Sequence, residues 1–225
     1  MATKKTAKQN DVVEIKRLQT ETILIKLVGD SDLILNKKTA STERELTADD
    51  RKKAHQEEAA LRELYPWEDA ITALHWRDPL GFKSIDEYTE EAFNELMASN
   101  APCISAHGLK ESWKSAVVRI GLDQYSTKFD FQVNIKHLDL VPITFASYTR
   151  DIKSMPQKGR GGGMLTAKLH RFSGWEAIVP VTYIVGGVYK LDTILSVIEN
   201  AGFGLGIGSG TKSGYGRYHI ENVEG

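Results

Sequence analysis

Between Gly202 and Gly216 seven glycines fall at alternate or near-alternate positions, with Lys212, Tyr215 and Arg217 among them or just after. That density takes the stretch out of any regular helix or strand, where each glycine costs conformational entropy, and makes it a loop that its neighbours must anchor. Two readings of it are open. Its backbone N–H groups can approach an anion closely, with lysine and arginine supplying charge and tyrosine a stacking face. Equally, it can be a connection packed tightly between a helix and an edge strand. The spacing matches no dinucleotide fingerprint, because Gly204-Leu-Gly-Ile-Gly-Ser209 follows a helix and not a strand, and it is no Walker loop.

The flanking elements are the clearest in the chain. Trp175–Val185 is rich in β-branched and aromatic residues and ends at Gly186-Gly187. Leu191, Ile194, Leu195, Val197 and Ile198 recur at helical spacing up to a stop at Asn200-Ala-Gly202, and a last strand is expected around Arg217–Val223. Upstream, Thr22–Val28 reads as a buried strand closed by the turn residues Gly29-Asp-Ser31. Ser105 caps a predicted helix carrying Leu109, Trp113, Ala116, Val117 and Ile120, stopped at Gly121. Phe129, Phe131, Val133 and Ile135 alternate with polar residues, the pattern of a half-buried strand. Strands at Leu138–Tyr148 and Leu165–Phe172 flank Met155-Pro-Gln-Lys-Gly-Arg-Gly-Gly-Gly163, predicting a long hairpin with a basic tip.

Setting aside insertions at about 30–104 and 138–172 leaves strand, helix, strand, strand, helix, strand. That is the order of an α+β, ferredoxin-like (RRM-like) βαββαβ core with an inserted helical segment and a hairpin thumb. Within the first insertion, 42–64 predicts a charged surface helix, and Ser84 is placed to cap a second over Ile85–Met97. The expected organisation is a basic arm over 1–20 and one domain over 21–225.

A formal charge of −1 over 225 residues excludes a protein that coats nucleic acid indiscriminately, so any phosphate site must be local. Acidic residues collect in 43–63 and 86–95. Basic ones collect in the arm (Lys4, Lys5, Lys8, Lys16, Arg17) and around the hairpin (Arg150, Lys153, Lys158, Arg160, Lys168, Arg171). The single cysteine, Cys103, allows no internal disulfide and offers no paired zinc ligands, and nothing else asks for a metal or cofactor. No run reaches the roughly 18 apolar residues of a membrane helix, and the basic start lacks the apolar stretch of a signal peptide. The expectation is a cytoplasmic protein without a membrane partner.

A helix ending in Ala-Gly, then Gly206-Ile-Gly208, then Lys212-Ser-Gly-Tyr-Gly-Arg217 entering the last strand, resembles the glycine-rich signature of the RAMP superfamily, the ferredoxin-like proteins of CRISPR effector complexes. Lys26-Leu-Val-Gly-Asp-Ser-Asp-Leu-Ile-Leu35, Ser105-Ala106 and the tryptophan strand bring it nearest to standalone phage and prophage members. The resemblance implies a phage-encoded, non-catalytic protein that self-associates along single-stranded RNA or DNA in the host cytoplasm. It implicates Gly206, Gly208, Lys212, Gly214, Gly216 and Arg217 at the phosphates. Lys158 and Arg160, with Arg150 and Lys153, enter by their place in the hairpin, and Tyr215 as a stacking ring.

Two other classes stay open. The same edges and hairpin would serve a protein-assembly subunit that never meets nucleic acid, which the near-neutral charge favours. Related ribonucleases use a histidine to activate a ribose 2′-OH, and His107, His137, His170 and His219 are the candidates, His107 best placed. Backbone subunits that cut RNA use an aspartate after the first strand, where Asp30 and Asp32 stand, although turn-forming aspartates explain them as well.

Overall fold

The computed structural model describes residues 17–37, 66–136, 139–156 and 164–222. The arm up to residue 16, the acidic stretch 42–64, His137, and the hairpin tip with Lys158 and Arg160 lie outside the described residues. In chain order the elements are β1 (Thr20–Gly29), β2 (Leu33–Leu35), α1 (Pro66–Thr72), β3 (His75–Trp76), α2 (Glu90–Ser99), β4 (Pro102–Ser105), α3 (Ala106–Arg119) and α4 (Thr127–Gln132). There follow β5 (Val133–Ile135), β6 (Leu140–Thr144), β7 (Ser147–Pro156), β8 (Met164–Ser173), β9 (Glu176–Ile184), α5 (Leu191–Gly204) and β10 (Tyr218–Asn222).

In β1 the alternation of side chains sends Ile25 and Leu27 into the core and leaves Leu24 and Lys26 on the outer face. The strand pairs antiparallel with β10 on one edge and β9 on the other. Two short strands share the far edge of β9. Of these, β5 lies opposite Tyr183–Val181 and β6 opposite Ala177–Glu176, and β6 carries the sheet on to β4 and β3. The result is a mixed α+β fold in which β10, β1, β9 and β5 stand side by side, each antiparallel to its neighbours.

On the inner face α3 inserts Leu109, Trp113, Ala116 and Val117, and α5 inserts Ile194, Val197, Ile198 and Ala201, all buried. Ser105 caps α3 as its sequence foretells, its hydroxyl accepting from the Gly108 N–H. At the centre the Trp113 indole N–H donates to the Tyr218 hydroxyl at 3.0 Å, satisfying two buried polar groups at once, and Trp175 meets Tyr218 edge-on. Burial drives the Tyr218 phenol far above its ordinary pKa.

A second sheet runs β2-β8-β7. The long hairpin is present, but its first arm is β7, which pairs with β8 over ten positions from Ser147↔Ser173 to Pro156↔Met164. Of the strand expected over Leu138–Tyr148, Leu140–Thr144 is β6 of the main sheet, paired with β4 and β9. The base of the hairpin is buried under α1 and α2 in a ring cluster of Trp67, Phe93, Tyr148, His170 and Phe172. His170, fully buried, shares a hydrogen bond of 2.8 Å with the Tyr148 hydroxyl, and burial pushes its pKa down to about 3. It is a neutral core residue and is unavailable as a catalyst.

Three further sequence expectations need correction. The alternation from Phe129 to Ile135 is not one strand: Thr127–Gln132 is helical and only Val133–Ile135 joins the sheet. Phe129 is buried under either period, but Phe131 is exposed, and the polar Gln132 is buried because its amide is bonded to Ile184 and Tyr189. Ser84 caps only a 3₁₀ turn, Ile85–Glu87, while Thr89 caps α2. Finally, the stretch 30–104 contributes β2, β3 and β4 to the two sheets, with Leu33, Ile34 and Leu35 all buried.

Candidate nucleic-acid interface

The glycine loop is folded against the segment that follows β1. Gly216 N–H donates to the Asp32 carbonyl, Ser209 N–H to the Ile34 carbonyl, and Ile207 N–H to the Gly216 carbonyl, at 2.8 to 3.0 Å. The Arg217 N–H goes to the Ser31 hydroxyl, and its carbonyl accepts from Asp30. A Cβ on Gly216 would stand 1.9 Å from the Ile207 carbonyl oxygen, and one on Gly208 2.5 Å from that of Ile34; both residues have positive φ. Close packing therefore accounts for these two glycines. Gly206 also has positive φ, and its carbonyl accepts from the Ser112 hydroxyl on α3. The N–H groups of Gly206, Ile207, Ser209, Ser213, Gly214, Gly216 and Arg217 are all engaged within the chain. What the loop offers an incoming ligand is a smooth backbone wall with Lys212 exposed at its outermost turn.

The arginines serve the fold. Arg171 is held by Asp151, lies 3.8 Å from Asp32, donates to the Tyr215 hydroxyl and sits over the Tyr215 ring. Arg217 donates to the Thr211 carbonyl and buries a second guanidinium nitrogen. Arg150 donates to the Pro66 carbonyl and covers the Trp67 ring at 5.3 Å. These three brace the loop and the hairpin base. Lys153 lies on β7.

Of the candidate catalytic residues, the structure brings Asp30 and His219 together and leaves His107 apart. Asp30 accepts from His219 Nδ1 at 2.6 Å, half exposed beside β10; the hydrogen bond to Asp30, followed by the charges of Asp30, Glu221 and Glu199, raises the His219 pKa. Asp32 faces Arg171. His107 stands apart from both, exposed on the first turn of α3.

At that first turn two clefts meet. One, of about 370 Å³, is walled by Gly206–Ser209 and Thr211 on one side and by Leu35, Asn36, Lys37, His75, Ser105 and Gly108 on the others. The second, of about 440 Å³, continues past His75 and Ser105 to His107, Lys110, Asn134 and Asp139. Because His75 and Ser105 border both, they form one groove from the glycine loop across the start of α3. Burial, and then the charge of Lys37, lowers the His75 pKa, so at neutral pH it is an uncharged hydrogen-bonding ring. Lys110 is tied to Asp130 at 3.0 Å, and Asp139 adds a negative group at the far end. Sequence reasoning missed Asn36, Lys37, His75 and Lys110. Nothing local marks them, since only the pairing of β3 with β4 and of β2 with β8 brings the first three to the loop. Among the described residues no cluster of histidine, cysteine, aspartate and glutamate could hold a metal, and no helix is long and apolar enough to cross a membrane.

No family profile matches the chain, and no curated protein matches it. Among solved structures it is similar to Cmr6 from Pyrococcus furiosus, with 11% identity over 91% of this chain and 100% of that one, at a TM-score of 0.40. An overlap of that extent carries no argument about function.

Proposed function

We propose that this protein binds a single strand of nucleic acid, without cutting it, along the groove between the glycine loop and the start of α3. The observation that carries the reading is the composition of that groove: a side-chain-free wall at Gly206 and Gly208 facing Lys37 and the first turn of α3, with Lys212 at its mouth. A backbone wall lets a phosphodiester come close, and a helix N-terminus and lysine ammonium groups favour its charge. Few cations are present, so the affinity is modest, in keeping with a net charge of −1.

The same geometry supports the finer fold reading. The order β10-β1-β9-β5, all antiparallel, with α3 and α5 on one face, is in keeping with the 4-1-3-2 arrangement expected of a ferredoxin-like core. A glycine loop between last helix and last strand, folded back on the segment after the first strand, fits a RAMP-like protein.

The test is fluorescence anisotropy with labelled oligo(U) and oligo(dT) at low and moderate salt. Wild type is expected to bind with steep salt dependence. Lys37→Ala/Lys212→Ala is expected to lose about tenfold or more in affinity and to flatten the log–log salt slope by roughly 0.7 per lysine. Absence of binding to either strand at low salt sinks the proposal in favour of an assembly subunit, the second reading, which the near-neutral charge favours. Since His75 and His107 border one cleft, cleavage of RNA that disappears in His107→Ala would replace it with an endoribonuclease.

A further inference from the structure

The end of the molecule opposite the groove has a different surface. There β1 begins, β9 ends, α3 ends and α5 starts. The loops are stitched together by Gln132, whose amide bonds the Ile184 and Tyr189 carbonyls, by Val185 N–H to Gln19, and by the Tyr189 hydroxyl to Asp123. Most of the large apolar side chains left exposed among the described residues gather on this end. Phe131 is 75% exposed, Val188 68%, Leu18 65% and Tyr125 64%, with Ile120 and Leu122 beside them. Leu24, Ile178 and Phe203 are the exceptions that lie elsewhere.

Surface apolar residues scattered singly need no explanation, but a cluster of this size does. Six such side chains expose on the order of 600 Å², at the upper limit of what a monomer leaves uncovered (~300–600 Å²) and most of the ~800 Å² each partner contributes to a standard interface. One pair of the charges nearby is spent inside the chain. Lys128 and Asp123 pair at 2.8 Å, and Asp123 also takes the Tyr189 hydroxyl, so its pKa falls, the Lys128 bond leading and the Tyr189 bond next.

From the position and extent of this patch, set against the area a stable dimer needs, we infer that this end is an isologous interface with a second copy of the chain, related by a two-fold axis. The proposal is independent of nucleic-acid binding, because the groove lies at the other end of the sheet and faces outward in the dimer.

Sedimentation velocity of the full chain, over roughly a hundredfold range of concentration, tests it. The expected result is a monomer–dimer equilibrium that Phe131→Glu/Val188→Glu shifts at least tenfold toward monomer, with unchanged Tm and unchanged oligonucleotide affinity. A wild type that stays monomeric throughout overturns the proposal, as does a dimer indifferent to the double substitution. Removing residues 1–16 supplies a further check. If only the shortened chain dimerises, the occupant in the full chain is its own arm, and the second-copy assignment is wrong.

Discussion

Where β1 finishes, the chain is held by backbone packed on backbone; where β1 begins, it is held by side chains and leaves several of the largest uncovered. At the first end Gly216 and Gly208 sit against the carbonyls of Ile207 and Ile34 with no room for a Cβ, and arginines plug the gaps. At the second, Gln132 and Tyr189 bind the loops while Phe131 and Val188 face solvent. The contrast teaches that a glycine-rich loop need not be a floppy one. This loop is a fixed wall, whose surface features are set by what the glycines exclude, and the opposite end has looser requirements, with large apolar side chains left at the surface.

Substitution should separate the two ends sharply. Gly216→Ala forces a methyl into the Ile207 carbonyl at positive φ and is expected to cost several kcal/mol, roughly 3–5, or to prevent folding. Phe131→Ser at the other end should move stability by no more than about 0.5 kcal/mol. Urea unfolding measures both, and a Gly216→Ala chain of ordinary stability would mean that the loop is not anchored as described. Gly214→Ala isolates conformation from packing, because Gly214 has φ of 87° with nothing within 4 Å of a Cβ. Its cost should be only about 1–2 kcal/mol. If the two glycine substitutions cost the same, close packing is not what distinguishes Gly216.

A small effect is expected at His219. Its pKa in the fold is raised above the ordinary 6.5, chiefly by the hydrogen bond to Asp30. The pair therefore adds stability that is fully present below about pH 6.5 and is lost as pH rises through the raised value. For groups this exposed the contribution is about 0.2–1 kcal/mol. His219→Gln should flatten the stability profile across that window, whereas an unchanged profile would show that the Asp30 contact is not formed in solution.

Much of this was legible in the chain. Strong patterns set β1, β9, α3 with its Ser105 cap, and α5, because each has one unambiguous period and a stop. The hairpin followed from its glycine-rich tip and returning strand, but its outgoing arm was placed too early, over Leu138–Tyr148, because Pro142 and the short gap before Ser147 blur where one strand ends and the next begins. The alternation at Phe129–Ile135 misled because Phe129 and Val133, four apart, satisfy helix and strand periods alike, and the deciding contact, Gln132 with Tyr189, spans 57 residues. The glycine spacing announced positive φ but not the direction of the N–H groups, which depends on carbonyls at Asp32 and Ile34 that only the fold delivers. Arg150, Arg171 and Arg217 counted as basic residues in the sequence, yet each spends hydrogen bonds inside the molecule. The groove itself was invisible, being assembled from residues near 36, 75, 107 and 207.

The most direct test of the groove is photo-crosslinking of oligo(4-thiouridine) to the full chain, with the attached peptides identified by mass spectrometry. Crosslinks are expected in 35–37, 105–110 and 206–212, and competition by unlabelled strand should remove them. Crosslinks confined instead to the outer sheet face, around Leu24, Ile178 and His219, would contradict the account and move the binding surface to the other side of the sheet.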